Sequence, residues 1–219
     1  MTAPPRLALF DCDGTLVDGQ AGVVQAMEAA FAELGQPAPD RHLVRRIVGL
    51  SLPQAIQQLL PGASDAVRSA IDESYRRIFR ANRETGRLVE PLYDGIADLV
   101  ARLSANGWVL GVATGKSQRG LEHCLATHGL TAHFATLQTA DHHPSKPHPS
   151  MIEAALAETG AARESCVMIG DTQFDVAMAV NAGVRAIGVN WGYHTTRELF
   201  DAGAEAVATS PAQLEEILS

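Results

Sequence analysis

The chain has 219 residues, of which 46% are hydrophobic and 19% are charged, and its formal net charge is −8. A chain of this length and composition buries a substantial core, which excludes an intrinsically disordered protein. Because the net charge is negative, the surface has no overall basic field for a nucleic acid or an anionic membrane, and local groups must hold any anionic ligand.

The N-terminal segment 1–6 lacks the basic and then apolar layout of a secretion signal. No apolar run approaches the roughly 18 residues that a membrane span needs. These two features predict a cytoplasmic protein. The three cysteines, Cys12, Cys124 and Cys166, are odd in number and scattered, which favours reduced, buried thiols over disulfides or a zinc site.

Short hydrophobic runs alternate with helical patterns over most of the chain. Strands are predicted at 7–11, 108–114, 134–139, 166–171, 184–189 and 204–208. Helices are predicted at 96–106, 118–128, 150–159, 173–182, 196–202 and 211–218. This alternation predicts an α/β fold, in which a doubly wound and mainly parallel sheet is covered by helices on both faces.

The segment 18–90 breaks this alternation, because it has helical periodicity and no convincing strand. Helices are predicted there at 20–34, 41–48, 53–60 and 63–84. The simplest account is a helical cap domain formed by 18–90 and inserted after the first strand. Residues 1–17 and 91–219 would then form the α/β core.

The first predicted strand ends in the motif Asp11-Cys12-Asp13-Gly14-Thr15. Ligands of open parallel sheets bind beyond the carboxyl ends of the strands, so this position favours a site. The side chains of Asp11 and Asp13 are two residues apart in extended backbone and therefore point the same way. Taken alone, the motif equally fits an Asp-Gly turn with two solvated acids.

Polar groups also stand at the ends of the second and fourth predicted strands and in the loop 144–149. Thr114 and Gly115 offer a hydroxyl and a backbone N–H to phosphate oxygens, Lys146 lies in a proline-rich loop, and Asp171 and Asp175 follow the strand at 166–171. Each motif alone fits a helix cap or a surface loop. All of them fall at one sheet edge, where clustered acids and a phosphate require compensating cations, namely Mg²⁺ and the Lys146 ammonium.

In this order, the motifs resemble the haloacid dehalogenase superfamily, and specifically its phosphatases with a helical cap. The match consists of Asp-x-Asp-Gly-Thr at 11–15, Thr114, Lys146 followed by Pro147, and Gly-Asp-x-x-x-Asp at 170–175. The return segment 93–95 and the loop 190–193 are similar to those of phosphoglycolate phosphatases. The resemblance implies a Mg²⁺-dependent phosphatase that acts on a small phosphorylated metabolite, such as phosphoglycolate or a sugar phosphate.

The resemblance also implies a role for each motif residue. Asp11 would be the nucleophile that forms an aspartyl phosphate, and Asp13 the general acid and then the base. The Mg²⁺ ligands would be Asp11, the Asp13 backbone carbonyl, Asp171 and, directly or through water, Asp175. The phosphoryl oxygens would be bound by Thr114, Gly115 and Lys146. Further candidates for substrate binding are Lys116, Arg45 and Arg46, which solvated helix surfaces explain equally well.

Three alternatives share parts of this pattern. A β-phosphoglucomutase-like phosphomutase would use the same nucleophile and cap. A phospho-signalling receiver also clusters aspartates, a threonine and a lysine, but the helical insert would have no role in it. A non-catalytic phosphate-binding protein could use the same scaffold.

The loop before the helix 150–159 contains His142, His143 and His148. These histidines fit a polar loop better than a metal site, since their spacing matches no known set of metal ligands. The sequence does not indicate which oligomeric state the protein adopts.

Overall fold

The structure is a computed structural model that describes residues 4–219. Six strands form one parallel sheet: β1 (Arg6–Phe10), β2 (Trp108–Thr114), β3 (Phe134–Thr139), β4 (Cys166–Gly170), β5 (Arg185–Val189) and β6 (Ala206–Ala208). Their order across the sheet is β3-β2-β1-β4-β5-β6. Positions 1–3, which belong to the N-terminal segment 1–6 and to the predicted core segment 1–17, lie outside the described residues.

Six helices cover the two faces of the sheet. One face packs against α5 (Ile96–Ala105), α6 (Gln118–Thr127) and α10 (Pro211–Leu218), and the other against α7 (Ser150–Thr159), α8 (Gln173–Ala182) and α9 (Thr196–Asp201). Because both faces are covered, the central strands are hydrophobic throughout rather than alternating. The predicted doubly wound α/β fold is therefore confirmed, and the three cysteines are buried and free.

Four helices occupy the segment 18–90, between β1 and α5, and no strand of the sheet lies among them. They are α1 (Gln20–Glu33), α2 (Arg41–Arg46), α3 (Leu52–Leu59) and α4 (Asp65–Glu84). Their apolar faces pack around a hydrophobic cluster that includes Met27, Phe31, Ile56 and Ile71. These helices therefore bury a core of their own beside the sheet.

The chain enters and leaves this helical segment through two adjacent extended stretches. Val17 and Leu92 form an antiparallel bridge, and the backbone N–H of Asp18 donates to the carbonyl of Pro91 at 2.8 Å. The two ends of the helical segment are thus hydrogen-bonded to each other at the edge of the sheet.

The loop after α2 packs directly on the carboxyl end of β2. A Cβ atom at Gly115 would lie 2.5 Å from the Leu50 carbonyl oxygen and 2.7 Å from that of Gly49, so only glycine fits this approach. The backbone N–H of Ser51 donates to the Ser145 hydroxyl at 2.7 Å. These contacts hold the helical segment over the ends of the strands.

No helix in the described part of the chain combines the length and the apolar character that a bilayer crossing demands.

Candidate active site

The sheet order brings the predicted motifs together at one edge. Strand β1 lies between β2 and β4, so Asp11, Thr114 and Asp171 follow three adjacent strands at their carboxyl ends. The N–H of Asp11 donates to the Ile169 carbonyl at 2.9 Å, which continues the ladder to β4 and fixes the backbone of this residue. The site therefore lies where open parallel sheets bind ligands.

The Lys146 ammonium links two of these acids in the interior. Its Nζ lies 2.9 Å from Asp11 Oδ1 and 2.6 Å from Asp175 Oδ1, and the Lys146 side chain has no exposure to solvent. Burial lowers the pKa of Lys146, but the two carboxylates outweigh burial and raise the pKa above its ordinary range. Lys146 is therefore a fixed buried cation beside Asp11.

Burial raises the pKa of Asp11 to about 7, although Lys146 opposes the rise. One oxygen of this carboxylate faces Lys146, whereas the other, Oδ2, is buried and has no hydrogen-bond partner among the described residues. A buried carboxylate oxygen without a partner carries a desolvation cost unless a ligand or an ion satisfies it. The arrangement thus leaves Oδ2 available for a ligand.

Asp11, Asp171 and Asp175 form a cluster in which one carboxylate oxygen from each lies within 4.8 Å of the others. Burial raises the pKa of Asp171 well above its ordinary value, and the charges of Asp175 and Asp11 add to the rise. A hard divalent cation that takes oxygen ligands fits this donor set, because it would neutralise the mutual repulsion of the acids.

The carboxylate of Asp171 is held in place by two donors. The Thr15 hydroxyl donates to Oδ1 at 2.9 Å, and the backbone N–H of Tyr193 donates to Oδ2 at 2.8 Å. Two glycines provide the space around it, since a Cβ atom at Gly14 would lie 2.2 Å from Oδ2 and one at Gly192 would lie 2.3 Å from the Asp171 Cβ. The position of this acid is therefore fixed from both sides.

Asp175 uses both of its carboxylate oxygens within the protein. Oδ1 accepts from Lys146, while Oδ2 accepts from the Thr172 backbone N–H at 3.0 Å and from the Thr172 hydroxyl at 2.7 Å. The latter contacts belong to a capping box at the start of α8. Asp175 thereby connects the helix start to the buried lysine.

Asp13 is held by the second lysine of the chain. Lys116 Nζ lies 2.7 Å from Asp13 Oδ1 and 2.7 Å from Glu90 Oε1, and the Lys116 side chain is 7% exposed. Burial raises the pKa of Asp13, and Lys116 opposes that rise. The sequence pattern suggested that Lys116 binds substrate, whereas the structure places its ammonium between two carboxylates.

Thr114 is buried at the end of β2, and its Oγ1 accepts from the Lys116 backbone N–H at 3.3 Å. Gly115 and Lys116 line a cavity of about 520 Å³ between the helical segment and the strand ends, and Asp13 also lines it. The cavity therefore reaches Asp13, whereas Asp11, Asp171 and Asp175 are not among its lining residues.

The structure does not bring Arg45 and Arg46 to this cavity. Arg45 is exposed, and neither arginine is among the residues that line the cavity. The Arg46 guanidinium pairs with Glu198 at the start of α9. The backbone carbonyl oxygen of Arg46 lies 2.9 Å from Nε2 of the His194 ring. Substrate binding by either arginine stays a prediction, and Arg46 has a structural partner instead.

The three histidines of the loop before α7 are not part of the acidic cluster. The ring of His143 hydrogen-bonds the Ser150 hydroxyl at 2.8 Å and Gln138 Oε1 at 2.7 Å. Among the described residues, the cluster suited to a metal contains none of these histidines. His143 thus serves the packing of its loop.

Sequence reasoning missed three groups that shape the site. Glu90, at the end of the segment 18–90, pairs with Lys116, the Tyr193 N–H holds Asp171, and the Thr15 hydroxyl does the same. Thr15 had a signal, since it stands in the motif at 11–15. Tyr193 stands in the loop 190–193 that the resemblance singled out, but no role was assigned to its N–H, and Glu90 had no signal that separates it from ordinary loop residues.

Comparisons with known proteins agree with this geometry. The sequence profile of the haloacid dehalogenase-like hydrolases matches residues 8–189. Together with the sheet and the acids at its edge, this match defines the class of the protein: the chain belongs to the haloacid dehalogenase-like hydrolases. Within that family the chain is a phosphatase, in keeping with the relatives that are named phosphatases.

The probable phosphatase IndB of Dickeya dadantii is 38% identical over 199 residues, covering 88% of this chain and 84% of that protein. The tyrosine-protein kinase PtkA of Mycobacterium tuberculosis is 31% identical over 214 residues, covering 97% of this chain and 71% of that protein. The crystal structure of a predicted phosphatase from Clostridium acetobutylicum superimposes with a TM-score of 0.88 at 25% identity, covering 99% of each chain.

Proposed function

We propose that this phosphatase hydrolyses phosphomonoesters of small metabolites with Mg²⁺, through an aspartyl phosphate on Asp11. The observation that carries the proposal is the asymmetry of the Asp11 carboxylate. Oδ1 lies 2.9 Å from the Lys146 ammonium, and the buried Oδ2 has no protein partner among the described residues. One oxygen is thus held while the other is free to attack phosphorus.

In the first displacement, the Asp11 carboxylate attacks the phosphorus atom and the bond to the leaving oxygen breaks. Asp13 donates its proton to that oxygen, which departs as an alcohol. In the second displacement, Asp13 removes a proton from water, whose oxygen attacks the phosphorus of the aspartyl phosphate. The bond to Asp11 breaks, inorganic phosphate leaves, and both acids return to their starting states.

The carboxylates of Asp11 and Asp171 and the backbone carbonyl of Asp13 would hold the Mg²⁺ ion. When bound, the ion supplies positive charge that offsets the acids and the phosphoryl oxygens. Thr114, Gly115 and Lys146 bind those oxygens and stabilise the charge that spreads over them in the transition state. Asp175, whose oxygens already accept hydrogen bonds, positions Lys146 and would help to hold the ion directly or through water.

The helical segment 18–90 would act as a cap domain on the core formed by 1–17 and 91–219. Support comes from its separate hydrophobic cluster and from the packing of the Gly49 and Leu50 carbonyls on Gly115. In this position the cap covers the acids, excludes water from unproductive attack and supplies a wall of the cavity. The sequence motifs suggest phosphoglycolate and sugar phosphates as substrates.

The proposal is tested with p-nitrophenyl phosphate and Mg²⁺. Asp11→Asn should lower kcat by at least about 1,000-fold, because it removes the nucleophile. Asp98→Asn, at an exposed acid on α5, is the matched control and should keep full activity. Mass spectrometry of the acid-quenched wild-type protein should find phosphate on the peptide that contains Asp11. Full activity in Asp11→Asn would overturn the mechanism.

The phosphomutase alternative makes a different product from the same intermediate. A mutase returns the phosphoryl group to the sugar, whereas a phosphatase transfers it to water. Release of inorganic phosphate from a sugar phosphate, without an isomerised sugar phosphate, would exclude the mutase. A receiver or a non-catalytic binding protein would release no phosphate from either compound.

A further inference from the structure

The cavity beside the acids is larger than a glycolate group requires. Its volume of about 520 Å³ falls in the range of roughly 300–1,000 Å³ that is typical of pockets for drug-sized molecules. It extends from Asp13 and Lys116 to the side chains of α4. The cavity thus begins at Asp13, two residues from the proposed nucleophile Asp11, and has room for a bulky organic part of the substrate beneath the cap.

One wall of this cavity is apolar. It is formed by residues from α1, α2, the following loop and the start of α3, namely Val23, Met27, Val44, Ile47, Leu50 and Leu52. Apolar walls offer no partners to hydroxyl groups, and a polyhydroxylated substrate would lose hydrogen bonds to water there. The wall instead favours a flat, weakly hydrated group.

The cavity lining also includes an aromatic pair one helical turn apart on α4. The rings of Tyr75 and Phe79 lie with their centroids 5.4 Å apart and their planes at 20°, and both residues line the cavity. Their spacing of four residues places them on one face of the helix. Planar heteroaromatic rings stack well on such side chains, as nucleobases do.

The next turn of α4 adds an unsatisfied donor. The Arg83 guanidinium carbon lies 5.4 Å from the centroid of the Phe79 ring, and its Nε is buried without a hydrogen-bond partner among the described residues. Arg76, also on α4, differs because it pairs with Asp72. A buried donor of this kind needs an acceptor from a ligand. Carbonyl oxygens and ring nitrogens of a heteroaromatic ring are suitable acceptors.

From these features we propose that the substrate is a phosphomonoester with a planar heteroaromatic ring, of the nucleoside monophosphate class. The phosphate binds at Asp11 and Lys146, the ring lies against Tyr75 and Phe79, and Arg83 donates to an acceptor of the ring. The inference rests on the proposed phosphatase function and narrows its substrate. A nucleoside monophosphate is a larger molecule than the phosphoglycolate that the motifs suggest.

Uridine 5′-monophosphate and ribose 5-phosphate form a matched pair, because they differ only in the base. With Mg²⁺ present, the wild-type protein should show a kcat/KM about tenfold or more higher for the nucleotide, as base stacking predicts. Arg83→Met and Phe79→Leu should each remove most of this preference by raising KM for the nucleotide much more than KM for ribose 5-phosphate. Arg77→Met, outside the cavity on the same helix, is the control and should keep the preference.

Binding is measured separately by calorimetry on the Asp11→Asn protein with Mg²⁺. Tighter binding of the nucleotide than of ribose 5-phosphate, lost in the Arg83→Met double variant, supports the assignment even if turnover is absent. Equal affinity for the two compounds would overturn it. Failure of the wild-type protein to hydrolyse p-nitrophenyl phosphate would instead refute the phosphatase mechanism, so the two failures are distinguishable.

Discussion

Replacement of Lys116 by Met should distinguish proton donation by Asp13 from the transfer of the phosphoryl group to Asp11. The Lys116 ammonium lies 2.7 Å from both Asp13 and Glu90, and these three side chains are 7%, 11% and 8% exposed. Lys116→Met would keep the aliphatic stem and leave two carboxylates facing each other. Removal of one partner from a buried ion pair costs about 3–5 kcal/mol.

The catalytic effect of Lys116→Met should depend on the leaving group. General acid catalysis contributes about 10²–10⁴-fold, so a misplaced Asp13 should lower kcat/KM for an alkyl phosphate by about 100-fold. The loss should be much smaller for p-nitrophenyl phosphate, because nitrophenolate leaves without a proton. A merely destabilised protein would lose the same fraction of activity toward both substrates.

The assay compares kcat/KM for the two substrates and the free energy of unfolding in urea. Arg102→Met is the control, because it breaks the exposed ion pair with Glu215 and should cost no more than about 1 kcal/mol. Glu90→Gln in the Lys116→Met background should regain part of the lost stability, since it removes one of the two uncompensated charges. Equal losses of kcat/KM for the two substrates would refute the positioning role of Lys116.

Three further expectations concern the metal cluster and the cap. Mg²⁺ at 100 times its dissociation constant should stabilise the wild-type protein by about 2.7 kcal/mol, and thermal melts with and without chelator measure this linkage. Gly192→Ala should weaken that Mg²⁺ response, because its Cβ would lie 2.3 Å from Asp171, whereas Gly62→Ala, with nothing within 4 Å, should leave it intact. The pKa of Glu198 is lowered to about 2, first by its hydrogen bond with Arg46. The stability gained from this pair is therefore present above the unfolded pKa near 4.5 and should diminish as the pH falls below it. In urea titrations from pH 6 to pH 3, the free energies of unfolding of Arg46→Met and the wild-type protein should therefore converge. A difference that grows on acidification would contradict the assignment.

The position of the site was predictable because it depends on topology rather than on side-chain detail. Asp11, Thr114 and Asp171 each follow a recognisable hydrophobic strand, and carboxyl ends of parallel strands share one edge. The strand predicted at 134–139 formed over Phe134–Thr139, and the one predicted at 204–208 formed over the shorter range Ala206–Ala208. Helix ends in the segment 18–90 shifted by one or two residues, since fraying ends carry a weak sequence signal.

Contacts between distant segments were not predictable in the same way. Glu90 meets Lys116 across 26 positions, and Arg46 meets Glu198 across 152, so no local periodicity reports either pair. For the same reason, the positions of the Phe79 ring and the Arg83 guanidinium at the cavity could not be predicted. Their spacing on α4 fits a packed face as well as a cavity lining, and only the tertiary structure decides between the two.

The bridge between Val17 and Leu92 has a consequence for how such chains diversify. Because the two stretches are hydrogen-bonded side by side, the four helices between them can be exchanged for another module whose ends meet at the same separation. The sheet and its acids would be left unchanged by the graft. Recognition of new compounds can therefore be acquired without rebuilding the machinery that breaks the phosphate ester.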